Sequence, residues 1–211
     1  MKQAVEELKI GIRVDGFLMQ AGKITPGRFA EEENAEVHLK RGDFEAYLLT
    51  AKVFHGRGKH LRPWVELFNI NRPVEIGGEP GRFFGSVLEE ALLKLFSAHI
   101  PPGGSIFVEY YGDPETARCL SLGFPPPVTR LGFRLFELGF TWFKDWYFCE
   151  GYLEGGQKLQ ADRPMDEAAR NRHMKNIEVE AKEFLSKMPR PEKAEEFEKK
   201  AAERARRILS L

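Results

Sequence analysis

The apolar side chains of this chain change rhythm twice, and no feature restricts the fold more. Residues 10 to 70 read mostly as strands: Ala35 to Lys40 alternates apolar and charged, and Phe44 to Phe54, beyond the turn Arg41-Gly42-Asp43, is the strongest β segment of this half. A period of two puts one set of side chains on each face of a strand. Ile10 to Met19 is also rich in β-formers and breaks near Gly16 and Gly22. HGRGKH (55–60) is a polar glycine loop, and Trp64 to Ile70 is a further strand. These segments predict an antiparallel meander. The rhythm then turns helical, with Val87, Leu88, Ala91, Leu92, Leu95 and Phe96 at helical spacing in a helix expected over 84–98. Pro101 to Gly104 stops it, and Ser105 to Tyr111 is a short strand. Asp113 caps a helix with Pro114 at its first position, ending at Gly123. Val128 to Leu138 is helical, and Thr141 to Cys149 is expected as the final strand. From about Asp162 the strand signal ends. Met165, Ala169, Ile177, Ala181, Phe184, Leu185 and Met188 share one helical face; Pro189 and Pro191 interrupt; Ala194, Phe197, Ala201, Ala205, Ile208 and Leu209 continue on a second helix. The expectation is an α/β (α+β) domain over 1–160 with a mixed, mostly antiparallel sheet and helices on both faces. A helical appendage over 161–211 follows it.

Charge narrows the function. Lys plus Arg and Asp plus Glu both total 32, so the net charge is zero. Wrapping nucleic acid needs a cationic surplus, and none is expected as a partner. The C-terminal zone carries 13 basic and 11 acidic residues, which suits helices that pack on the main domain or pair two copies in a homodimer. A charged fraction of 30% with five Asn and four Gln suits a heat-adapted source. MKQAVEELKI is a charged helix start without the apolar core of a signal peptide, and no window is apolar enough for a membrane span. Cys119 and Cys149 are isolated thiols, as expected of a reduced cytoplasmic protein. Cys119 is expected as a small core residue rather than a nucleophile.

The segment GGEPGRFFGSVLEEALL joins a glycine-rich turn to a helix N-terminus. Unpaired N–H groups and the helix dipole converge there, a setting for phosphate. Arg82 adds a cation, and Gly81 and Gly85 allow close backbone approach. Val74 to Gly81 resembles the first motif of Rossmann methyltransferases, which bind S-adenosylmethionine. The spacing opposes that reading: Gly77 and Gly103 are 103 − 77 = 26 residues apart. A Rossmann sheet would need several βαβ units there, each about 30 residues long. Glu79 also stands where that loop has glycine.

Arg82-Phe83-Phe84-Gly85-Ser86-Val87 resembles the Arg/Gln-x-x-Gly-x-Gly/Ala loop of the GCN5-related N-acetyltransferases, and it lies between a strand and a helix as it does there. Leu122-Gly123-Phe124 and Leu138-Gly139-Phe140 resemble the turn that precedes a late strand in that superfamily. The resemblance spans about residues 10–155 and implies a sheet of the acyl-CoA N-acyltransferase type. It further implies that Gly81, Arg82, Phe83, Phe84, Gly85 and Ser86 hold the pyrophosphate of acetyl-CoA or another acyl-CoA, with transfer to a small-molecule or protein amine. Val87 stands where the motif has Gly or Ala, and Leu135 and Phe136 where a general-acid tyrosine is common. Those departures define the competing class, a non-catalytic relative used for binding or assembly.

Transfer needs a base for the amine and a proton donor for the thiolate. Glu66 and Glu109, on the strands flanking the loop and helix, are the candidate bases; Tyr110 and Tyr111 are the nearest hydroxyls. In Thr141 to Cys149, aromatic residues fall on both faces, which predicts a strand buried on both sides or a pocket wall, with Glu150, Glu154 and Gln157 at its mouth. His55 and His60 share a glycine loop but lack a third ligand at metal spacing, so no metal is expected.

Overall fold

The computed structural model describes residues 1–57, 61–71, 75–76, 79–80, 87–110, 112–146, 157–190 and 192–211. The chain is mixed α/β with mostly antiparallel strands, and it divides into two units, Met1–Glu109 and Tyr110–Leu211. The C-terminal helices belong to the second unit. No helix among the described residues is long and apolar enough to cross a membrane.

In the first unit, helix α1 (Lys2–Ile10) precedes β1 (Ile12–Val14), β2 (Phe17–Pro26), β3 (Glu32–Arg41), β4 (Phe44–Phe54) and β5 (Trp64–Phe68). These strands form the expected antiparallel meander. After the two-residue strands β6 (Glu75–Ile76) and β7 (Glu79–Pro80), helix α2 (Val87–His99) crosses over to β8 (Ser105–Glu109), which pairs parallel with β5. The six strands are ordered β1-β2-β3-β4-β5-β8.

The register explains the core. Ala35 pairs with Ala51 and that with Leu67; Val53 pairs with Val65 and that with Ile106; all six are fully buried. This is one aliphatic face, produced by the period of two in the sequence. Helix α2 buries Leu88, Leu92, Leu93 and Phe96, while Val87, which shares the helical spacing, is exposed on its first turn. Ala4, Val5 and Leu8 of α1 are buried, and α1 packs on β2 and α2.

The second unit opens with α3 (Pro114–Ser121). Asp113 caps it as expected, its carboxylate accepting from the Thr116 N–H at 3.2 Å. A 3-10 turn (Pro126–Val128) then leads to α4 (Arg130–Glu137). The prolines start that turn, and Thr129 caps α4 by accepting from the Gly132 N–H at 3.1 Å. β9 (Trp142–Trp146) pairs antiparallel with β10 (Lys158–Asp162), so the expected last strand is followed by another. β10 is short and mixed in character, with Leu159 and Ala161 buried between polar neighbours.

The expectation of a strand buried on both sides is corrected over the described part of that segment. Trp142 and Lys144 are exposed, while Phe143, Asp145 and Trp146 are only half-buried. Lys144 lies over the Trp146 ring at 3.6 Å from its centroid, so the aromatic surface is met by a cation in place of core packing. Helices α5 (Glu167–Lys187) and α6 (Glu196–Leu209) complete the unit. Ile177, Ala181 and Phe184 pack with Ala201, Ala205 and Ile208 and with Val128, Phe133 and Phe136. Met165 lies outside this core, because α5 begins only after the Asp166 cap.

Candidate functional site

The face opposite the aliphatic one, at the ends of β4, β5 and β8, carries the polar chemistry of the first unit. Strand register places Lys52 beside Glu66 and Glu66 beside Phe107, with Glu109 two residues further along on the same face. Both candidate bases therefore share one side of adjacent strands. Glu66 is nearly buried and forms an ion pair with Lys52 at 4.0 Å. The Lys52 ammonium also lies 5.4 Å from the Phe68 ring centroid. Glu109 accepts a hydrogen bond from the Ile70 N–H at 3.3 Å.

A β-bulge supplies the second half of this arrangement. His38 faces Tyr47 and Val37 faces Leu49, leaving Leu48 as the extra residue of β4. The Leu48 carbonyl accepts from the Asn71 N–H at 2.7 Å, and the Asn71 amide donates to the Tyr47 carbonyl at 3.1 Å. Asn69 turns the chain with φ 52°, in the left-handed region that asparagine tolerates. Residues 69–71 are thus held from two sides, by Glu109 and by the bulge. The Tyr47 hydroxyl bonds with Thr50 Oγ1 at 2.8 Å. Burial pushes its pKa up, as do the Glu36 and Glu109 carboxylates, against the opposing effect of Thr50, so the phenol holds its proton.

Tyr110 belongs to the second unit. It is buried, and its hydroxyl donates to Asp145 Oδ1 at 2.6 Å. The expected cofactor-binding residues Gly81, Arg82, Phe83, Phe84, Gly85 and Ser86 lie outside the described residues, as do Tyr111, Cys149, Glu150, Glu154 and His60. His55 donates from Nε2 to Glu33 at 2.7 Å, which gives that imidazole a protein partner. Cys119 is fully buried; burial first, and Glu115 next, push its thiol up to about 12, so it carries no thiolate chemistry at neutral pH.

Sequence reasoning did not single out Lys52, Tyr47, Thr50 or Asn71. Within Phe44 to Phe54, Leu49 to Val53 alternates, which puts Thr50 and Lys52 on one polar side. The bulge that turns Tyr47 to that side has no comparable local signal.

Comparison with known proteins gives the chain its family. It is similar to the protein of unknown function AQ1966 from Aquifex aeolicus VF5, whose crystal structure matches with a TM-score of 0.82 and 38% sequence identity, over 100% of this chain and 98% of that one. No curated protein matches. Residues 15–188 match the family model described as "Protein of unknown function (DUF1122)". The chain belongs to the DUF1122 family.

Proposed function

We propose that this protein is an acyl-CoA-dependent N-acyltransferase that passes an acyl group directly from the CoA thioester to an amine. The observation that carries the reading is the β5–α2–β8 crossover, one parallel pair closing an antiparallel meander. Ligands of open α/β sheets bind outside the carboxyl ends of parallel strands, where the chain leaves β5 toward α2. The Arg82–Ser86 motif falls in that connection, and its arginine and helix N-terminus suit a pyrophosphate. Glu66 or Glu109 would take the proton of the attacking amine. Tyr47, whose hydroxyl is bonded to that of Thr50, or Tyr110, whose hydroxyl donates to Asp145, would protonate the departing thiolate.

One observation favours the second reading, a non-catalytic relative. Glu66, Glu109 and Tyr110 each have a partner inside the protein. Calorimetry with acetyl-CoA separates the two. Saturable binding that is lost in Arg82→Ala supports acyl transfer, whereas no response to any CoA ester sinks it. A response to S-adenosylmethionine instead would move the protein to another class. Glu109→Gln keeps an acceptor for the Ile70 N–H but removes the base, so lost turnover with retained acetyl-CoA binding would identify Glu109 as the base.

A further inference from the structure

The second unit contains an open groove of about 660 Å³, within the range of small-molecule sites. Its floor is apolar, formed by Leu120, Phe124, Pro125, Phe184 and Met188. Phe124 is fixed between two rings, with its centroid 4.7 Å from that of Phe184 and 6.1 Å from that of Phe197. The charge around this floor is one-sided among the described residues: Asp145, Glu180, Glu183 and Glu198 line the groove, against the cation Lys187.

These carboxylates differ in what else they do. Asp145 accepts from the Tyr110 hydroxyl, and Glu198 closes the capping box of α6 by accepting from the Glu195 N–H at 2.7 Å. Glu180 and Glu183 have no ion-pair partner among the described residues. They are three residues apart on α5, and so are neighbours on its surface. Crowding by neighbouring protein atoms, followed by the charge of Glu183, raises the pKa of Glu180, although its side chain remains exposed at the surface. An arriving cation would relieve that repulsion, and an aliphatic stem would cover the phenylalanine floor. A metal ion would gain nothing from the floor, and an apolar ligand nothing from the rim.

We propose that this groove binds an aliphatic di- or polyamine, with ammonium groups on Glu180 and Glu183 and methylene groups on Phe124 and Phe184. The site is independent of acyl transfer, because it lies within the second unit and needs no CoA ester.

The test is calorimetric titration of the full chain with spermidine at low ionic strength, without any CoA ester. Saturable one-site binding is expected, tighter than that of butylamine or magnesium. The double substitution Glu180→Gln, Glu183→Gln should weaken it about tenfold, the sum of two modest exposed ion pairs. Both positions are solvent-exposed on a helix surface, and a thermal melt checks that the variant folds. Lys187→Gln removes the opposing charge and should tighten binding, a gain that misfolding cannot mimic. Spermidine binding no tighter than magnesium, or unchanged in both variants, would overturn the proposal. So would a trilysine peptide that binds the groove more tightly than spermidine, which would make the site a peptide site.

Discussion

Replacing Asp113 tests how the second unit holds its first two helices together. The Asp113 carboxylate does two jobs: it caps α3 through the Thr116 N–H, and it receives Arg130 in a two-pronged pair. The Arg130 Nε–H lies 3.2 Å and 3.1 Å from the two carboxylate oxygens, and an Nη2–Oδ2 contact is 2.7 Å. The Asp113 side chain is 3% exposed and that of Arg130 19%. Losing a cap costs about 1 kcal/mol. Breaking a fully buried pair costs about 3–5 kcal/mol, but Arg130 can partly rehydrate, so about 2 kcal/mol is the better figure here. Asp113→Ala should therefore lose about 3 kcal/mol. Asp113→Asn keeps the cap and should lose about 2, since Asn caps as well as Asp.

The pH dependence has a definite sign. Burial raises the carboxyl's pKa, but the hydrogen bonds and charge of Arg130, with those of Thr116, outweigh it and leave a net lowering. A carboxyl whose folded pKa is depressed contributes stability that is complete above its unfolded value and is lost as pH falls through the folded one. The gap between wild type and Asp113→Asn should thus be full at pH 7 and shrink below about pH 4. Urea unfolding followed by circular dichroism at pH 7 and pH 3, with Arg130→Met to complete a double-mutant cycle, measures both. An Asp113→Asn variant as stable as the wild type would refute the charge argument, as would a cycle coupling below about 0.5 kcal/mol; equal losses for Ala and Asn would refute the cap.

Other outcomes follow from single contacts. Gly132→Ala should destabilise the protein even though alanine raises helix propensity by about 1 kcal/mol, because the new Cβ collides with the Pro126 carbonyl; thermal melting checks the sign. Cys119 should stay unmodified by iodoacetamide at pH 8 in the native protein and react at once in urea, as read by peptide mass spectrometry; fast native labelling contradicts its burial. Tyr110→Phe removes the donor to Asp145 and should cost about 1–2 kcal/mol, measured by chemical denaturation. Arg204→Met breaks the 2.6 Å ion pair from α6 to Glu115 of α3 and the bond to the Val128 carbonyl; hydrogen exchange should accelerate in both helices if that pair joins them.

Much of the fold is local and was therefore legible. The meander follows from a two-residue period that leaves only one face fit for burial. Asp113 and Pro114 mark a helix start because a cap is satisfied within three residues. On the second helical face of the chain, Ala194, Ala201, Ala205 and Ile208 are buried as their spacing implied, and Phe197 and Leu209 are half-buried. β10 escaped notice because five residues with charged ends carry too little pattern; Leu159 and Ala161 become strand only through the pairing with β9. Trp142 to Trp146 misled for the converse reason. Aromatic content signals burial only when something covers the strand, and coverage is not a local property.

The candidate site divides in the same way. The sequence alone supplied the candidates, because Glu66, Glu109 and Arg82 are chemistry-bearing side chains beside an expected strand–loop–helix junction. It also determined that Glu66 and Glu109 are strand residues. Only the tertiary structure decided what they do there. The parallel register of β5 and β8 put both carboxylates on one face, and the bulge at Leu48 brought residues 69–71 within reach of Glu109. The acid-rimmed groove is likewise tertiary: Phe124 and Glu180 lie 180 − 124 = 56 residues apart and meet only when α5 packs against the turn after α3. Periodicity depends on near neighbours along the chain, whereas register, coverage and cavities depend on contacts between segments that the chain brings together only on folding.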